Sequence, residues 1–171
     1  MLGYVMGQGR GTADTLLADV ARALQAEGWP LAGVVQINTE IDPARPCQMD
    51  LLPLQGGARI RISQSLGPMS QGCRLDVAGL EQAAGLVAAV LEADEPPRLL
   101  IVNKFGKQEC EGRGFRPLIG RALERGVPVL TAVSAANHIG FCAFAEGLAE
   151  PLASDLGSVL GWCRATVSRD A

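Results

Sequence analysis

Residues 2–37 read LGYVMGQGRGTADTLLADVARALQAEGWPLAGVVQI, and this stretch decides the fold. The apolar run Leu2–Met6 predicts a short strand, and Gly7-Gln-Gly-Arg-Gly-Thr12 is a glycine-rich turn. Beyond it Leu16, Leu17, Val20, Ala21 and Leu24 recur at spacings of three and four, the period of a helix with one buried face. Gly28 closes that helix and Trp29-Pro30 prevents its continuation. Leu31–Ile37 is apolar again and predicts a second strand. A strand–turn–helix–strand order opens a right-handed parallel unit. The expected class is therefore α/β, with a mostly parallel sheet and helices on both faces. Ligands in such sheets gather at the carboxyl ends of the strands.

The rest of the chain extends this frame. Asp42-Pro43 and Arg45-Pro46 are turn signals. Met49–Leu54 and Ala58–Ser63 flank Gln55-Gly-Gly57 and predict an inserted β-hairpin. Gln64–Arg74 reads as a loop. Asp76 is placed to cap a helix that buries Leu80, Ala83, Ala84, Val87 and Leu91. Arg98–Val102 is apolar without alternation, as in a strand covered on both faces. A helix over Gly114–Arg125, a strand over Val127–Val133, and helices over His138–Leu148 and Pro151–Cys163 complete the expectation. No internal repeat and no long linker divides residues 1–171, so one domain is expected.

Composition narrows the function. A formal net charge of -3 gives no support for general nucleic-acid binding. No apolar run approaches the roughly 20 residues of a membrane span, and Leu2–Met6 is too short for a signal-peptide core. Those features predict a cytoplasmic protein without membrane insertion. Five cysteines, Cys47, Cys73, Cys110, Cys142 and Cys163, are odd in number and scattered, as reduced thiols are. His138 is the single histidine, which argues against a structural zinc site or a serine-hydrolase triad. A capping or surface role is expected for it, and packing roles for Cys110, Cys142 and Cys163.

Two turns carry the unusual residues. In the first, Gly7, Gly9, Arg10, Gly11 and Thr12 precede a helix, whose N-terminal N–H groups favour an anion. The P-loop pattern GxxxxGK[ST] is not met, because no lysine precedes Thr12, and the GxGxxG fingerprint fails as well. An anion cradle and a plain flexible connection both fit this turn. In the second, Ile101–Gly114 reads IVNKFGKQECEGRG and packs Asn103, Lys104, Lys107, Glu109, Glu111 and Arg113 beyond an apolar strand. A solvated connection would also be polar, but Asn103 and Lys104 fall at the edge where ligands gather. Upstream, Cys47-Gln-Met-Asp50 and Cys73-Arg-Leu-Asp76 each set a thiol near a carboxylate. Those loops are expected to offer Arg74, Ser63 or Gln64 to the ligand. Cys47 and Cys73 are the option for a soft metal, against core filling by buried thiols.

The run Asn103-Lys-Phe-Gly-Lys-Gln-Glu109 resembles, in frame, the end of the Walker B strand in the nucleoside triphosphatases first known from thermophiles. A closer resemblance is to an uncharacterised bacterial family placed among P-loop NTPase-like proteins and often encoded beside molybdate-transport genes. It rests on Cys47-Gln-Met-Asp-Leu51, Ile62-Ser-Gln-Ser-Leu-Gly67, Gly72-Cys-Arg-Leu-Asp76, Val102–Glu109 through Gly114, and Val127–Val133. The resemblance implies a degenerate P-loop NTPase-like fold. It also implies an association with molybdenum transport or cofactor machinery.

Departures from an active site point the chemistry elsewhere. Asn103 and Lys104 stand where a magnesium-binding Asp and a Glu would stand. A divalent cation ~4 Å from Lys104 would be repelled by about 8 kcal/mol at an effective dielectric near 20. The leading expectation is therefore a non-enzymatic binder of a small anionic ligand, an oxyanion or phosphate such as molybdate, tungstate or a nucleotide's phosphate. An alternative is a nucleotide-binding phosphohydrolase or transferase that uses Glu109 and Glu111 as base or metal ligands. A third is an interaction module that has lost its ligand, and a homo-oligomer is compatible with each.

Overall fold

In the computed structural model, which describes residues 1–42, 44–65, 67 and 74–167, the predicted α/β architecture forms. Its strands are β1 (Leu2–Met6), β2 (Leu31–Thr39), β3 (Gln48–Pro53), β4 (Ile60–Arg61), β5 (Leu99–Phe105), β6 (Val129–Val133) and β7 (Ala149–Leu152). The helices are α1 (Thr12–Ala26), α2 (Val77–Leu91), α3 (Lys107–Cys110), α4 (Arg116–Glu124), α5 (His138–Ala145) and α6 (Leu156–Val167). They build one sheet in the order β4-β3-β2-β5-β6-β1-β7. Strands β2, β5, β6, β1 and β7 run parallel, and the hairpin β3–β4 adds an antiparallel flank beside β2. Because β6 lies between β1 and β5, the glycine turn and the 103–114 segment leave from strands that are not neighbours.

Strand alternation divides the core in two. Val35, Leu99, Ile101, Val5, Leu130 and Ala132 pack under α1 (Leu17, Val20, Leu24) and α6 (Val159, Leu160, Cys163). Ala32, Val34, Leu100, Val102, Val129 and Val133 pack under α2 (Leu80, Ala83, Val87), α4 (Leu118, Ile119) and α5 (Phe141, Ala145). Buried on both sides, the central strands gain from two apolar layers, as continuous hydrophobic runs imply.

Several expectations need correction. The helix expected over Pro151–Cys163 is instead the edge strand β7, followed by α6 from Leu156. Pro151 is tolerated because β7 has a neighbour, β1, on only one side among the described residues. The helix expected over His138–Leu148 ends at Ala145, where Glu146 turns left-handed (φ 46). Strand β5 continues through Phe105, so Asn103 and Lys104 are strand residues. The second hairpin arm shrinks to Ile60–Arg61.

One glycine in β2 sets how closely β2 meets β5. Gly33 has φ 111, and a Cβ there would collide with the backbone carbonyl of Ile101. Both the left-handed strain and the backbone clash oppose any side chain. Gly33→Ala is expected to cost more than about 3 kcal/mol of stability. Urea unfolding followed by circular dichroism measures it, and an unchanged midpoint would contradict this packing.

Candidate functional site

Helix α1 begins directly after the glycine turn. Gly9 (φ 84) and Gly11 (φ 77) adopt the left-handed region, which lets the chain reverse from β1 into the helix. The turn is tied down at both ends: Gly7 N–H donates to the Val133 carbonyl at 3.0 Å, and Thr12 Oγ1 donates to the Gln8 carbonyl. No side chain caps α1 at Gly11. Its first-turn N–H groups therefore face the strand edge without the partner that a capping Ser, Thr or Asp would give. Arg10 is exposed on this turn.

A second feature emerges from the first turn of α1. Asp14 is buried at 2% exposure. Asn103 Nδ2 donates to its Oδ1 at 2.9 Å, and Asn38 Nδ2 and Gln36 Nε2 donate to its Oδ2 at 2.7 and 3.4 Å. Lys104 Nζ lies 3.0 Å from Oδ1 and 3.3 Å from Oδ2. A buried carboxylate needs such partners, since an unpaired one would carry the full desolvation cost. Gln36 and Asn38 come from β2, and Asn103 and Lys104 from β5. Consecutive strand residues normally point to opposite faces. A register irregularity between Val102 and Phe105 relaxes that rule and lets both Asn103 and Lys104 reach Asp14.

Asn103 uses both ends of its amide. Its Oδ1 accepts from the Gln36 backbone N–H at 2.8 Å while its Nδ2 serves Asp14. An aspartate could accept the first bond but would set a second carboxylate against Asp14. The network gives the Asn-Lys pair near the end of this strand its partner.

Beyond β5 the segment folds on itself. Glu109 is 3% exposed, and its carboxylate accepts from the backbone N–H groups of Gly106 (2.9 Å) and Phe115 (3.0 Å). Both oxygens of this expected alternative base or metal ligand are engaged in holding the loop, and the group is buried. Burial pushes its pKa up, the two backbone hydrogen bonds oppose that, and the nearby Glu81 carboxylate adds to it. Glu111 stays at the surface, paired with Arg113 and, at 3.9 Å, with Lys107. Arg113 also donates to Gln108 Oε1 at 2.8 Å. Lys107 and Arg113 thus belong to a surface charge cluster.

The upstream residues lie elsewhere on the same edge. Arg74 donates to the Cys47 carbonyl at 2.9 Å, and Gln64 Nε2 donates to the Leu75 carbonyl at 3.2 Å. Both hold the loops that follow the hairpin. Cys73 lies outside the described residues. Cys47 is half-buried, and among the described residues no group of three or more His, Cys, Asp or Glu side chains is placed to hold a metal ion. Cys163 packs as expected, and burial pushes its thiol up to about 12. Cys142 is exposed instead, 3.4 Å from His138 Nε2, and the half-buried His138 ring also meets Tyr4 Oη at 3.3 Å. Sequence reading had missed Asp14, Gln36 and Asn38. The available signal was a carboxylate in the first turn of the helix that follows the glycines.

A seven-stranded, mostly parallel sheet with a glycine turn leading into α1 is a P-loop-like α/β fold. The chain belongs to the family described as Protein of unknown function (DUF2478), which matches residues 2–162. It is also 37% identical, over 156 residues, to a protein of Bradyrhizobium diazoefficiens named Molybdenum import ATP-binding protein ModC 2. That match covers 91% of this chain and 17% of the relative, so the chain spans about one sixth of that protein's length. No solved structure matches. No helix among the described residues is long and apolar enough to cross a membrane.

The Glu109 geometry gives a test. In Glu109→Gln an amide N–H would face the N–H of Gly106 or Phe115, and one buried donor would lose its acceptor. The expected cost is about 1–3 kcal/mol. The wild-type carboxyl titrates above its ordinary 4.5 in the folded chain. Its contribution is thus fully present below the unfolded pKa and is lost as pH rises through the folded one. The stability difference between wild type and variant should therefore narrow as pH rises from about 4 to 7. Chemical unfolding across that range measures it, and a gap that widens with pH would refute the assignment.

Proposed function

We propose that this chain binds an oxyanion or a terminal phosphate group at the glycine turn, without magnesium-assisted hydrolysis, and serves molybdenum handling. The observation that carries the reading is the uncapped start of α1 behind Gly9 and Gly11, with exposed Arg10 on the turn. Backbone N–H groups and the positive end of a 15-residue helix converge there, an arrangement that favours a negative ligand. Gly7, Gly9, Arg10, Gly11 and Thr12 form the cradle in this proposal. Lys104 and Asn103 act behind it through Asp14, and Lys107 and Arg113 contribute the positive rim. Gln64 and Arg74 bound the edge on the hairpin side.

The molybdenum link draws on the relative's name, which describes a molybdenum import ATP-binding protein. Hydrolysis is disfavoured because Glu109 holds the loop and Lys104 occupies the carboxylate at the site. A second reading is favoured by the coverage: the matched stretch is 17% of a much longer chain. On that reading the domain is an interaction module attached to transport machinery in the cytoplasm.

Thermal unfolding separates the two. The panel is molybdate, tungstate, sulfate and phosphate, together with ATP and GTP, each nucleotide with and without magnesium. A ligand at about 100 times its Kd contributes about 2.7 kcal/mol. For a domain of this size that is a rise of about 5–11 °C. A magnesium-independent rise with an oxyanion or free nucleotide, reduced in Arg10→Glu, is the expected result. Stabilisation that requires magnesium, accompanied by phosphate release, would sink the binding reading. No rise with any ligand would leave the interaction module.

A further inference from the structure

The P-loop frame assigns chemistry by position, and this chain can be set against it from Gly7. Counted strictly from Gly7, and not with Thr12 as the hydroxyl, the spacing of GxxxxGK[ST] keeps only its first glycine and puts Thr12, Ala13 and Asp14 at the places of the second glycine, the phosphate-reaching lysine and the magnesium-binding hydroxyl. A magnesium ion in such a site is also held from the end of the Walker B strand, where this chain has Asn103 and Lys104. The residues present do not fit that ion. Magnesium requires oxygen lone pairs in a near-octahedral set. Around Asp14 the structure instead places the amide N–H groups of Asn38, Gln36 and Asn103 and the ammonium of Lys104.

We infer that the Lys104 ammonium is a tethered replacement for the divalent cation, so that the site takes its anionic ligand free of metal. Three substitutions act together. The hydroxyl position has become the carboxylate Asp14, and the Walker B carboxylate has become Asn103. The charge lost with the metal is supplied by Lys104, 3.0 Å from Asp14. Each alone would be unfavourable: Asp14 facing an aspartate would put two carboxylates together, and Asp14 without Lys104 would be a buried unpaired charge. The Lys104 side chain is half-exposed whereas that of Asp14 is buried. The cation therefore comes in from the solvent side, as a metal would.

This inference rests on the reading of the glycine turn as an anion site, but its test is separate. Removing the ammonium should open the carboxylate to a divalent cation, with the Asn38 and Gln36 amides free to turn their oxygens inward. Manganese binding by electron paramagnetic resonance is compared in wild type, Lys104→Ala, Lys104→Met and the double variant Lys104→Ala/Asp14→Asn. The expected result is at least tenfold tighter binding in the single variants than in wild type, lost again in the double variant. Thermal unfolding should rise with manganese in Lys104→Ala and not in wild type. If the single variants are unfolded without metal, folding on addition of manganese supports the assignment, and failure to fold overturns it. Folded variants that bind manganese no better than wild type also overturn it. If manganese binding appears while wild type responds to no anion, the anion reading fails and the cation replacement stands.

Discussion

The buried carboxylate of Asp14 is the constraint on which the strand edge depends. It sits on α1, which follows β1, and it can be buried only where donors from other elements meet it. Those donors come from β2 and β5, two strands on the far side of β6 from β1. Satisfying Asp14 thus fixes how the first turn of α1 lies over the carboxyl ends of both strands. The glycine turn inherits that position. Buried ion pairs often add little net stability compared with well-packed apolar residues. Their directional hydrogen bonds specify geometry instead, and here they specify where the start of α1 points.

Much of the fold was legible because periodicity reports burial. The α1 pattern at Leu17, Val20 and Leu24 and the unbroken Leu99–Val102 run describe the two apolar layers directly. Asp76 caps α2 as read, accepting from Ala78 N–H at 3.0 Å. Strand β7 was not legible, because an edge strand of four residues containing Pro151 has no burial pattern to display. The end of β5 was misread for a different reason. Asn103 and Lys104 are polar, so they resembled a turn, yet their polarity answers a partner that is 89 and 90 residues away in sequence.

That distance is why the polar network at this edge was only partly legible in the sequence. Charge reasoning from sequence treated Lys104 as an isolated cation, which would repel a metal and attract an anion. Geometry gives it a partner of opposite sign, so its long-range repulsion of a cation is largely cancelled. Glu109 shows the same limit. A glutamate in a polar, glycine-flanked segment looked available for chemistry, whereas Gly106 and Phe115 turn it into an internal brace. The backbone N–H groups that claim it carry no signature in the sequence.

In the proposed anion site, the Asp14–Lys104 pair would also bear on what the glycine turn accepts. An unpaired carboxylate in the first turn of α1 would itself answer the helix dipole and oppose any incoming anion. At ~5 Å and an effective dielectric near 20, that opposition is about 3 kcal/mol, which is more than a helix N-terminus usually contributes. Pairing with Lys104 removes most of it while leaving the first-turn N–H groups uncapped. On the proposed anion-binding reading, the lysine would act without touching the ligand: it neutralises the nearest negative charge and leaves the dipole and Arg10 to act. Arg10, on the turn itself, is placed to meet a ligand more directly, but alone it would leave Asp14 buried and unpaired. The arrangement observed satisfies both demands with one side chain, reached from β5 through a single irregularity in strand register.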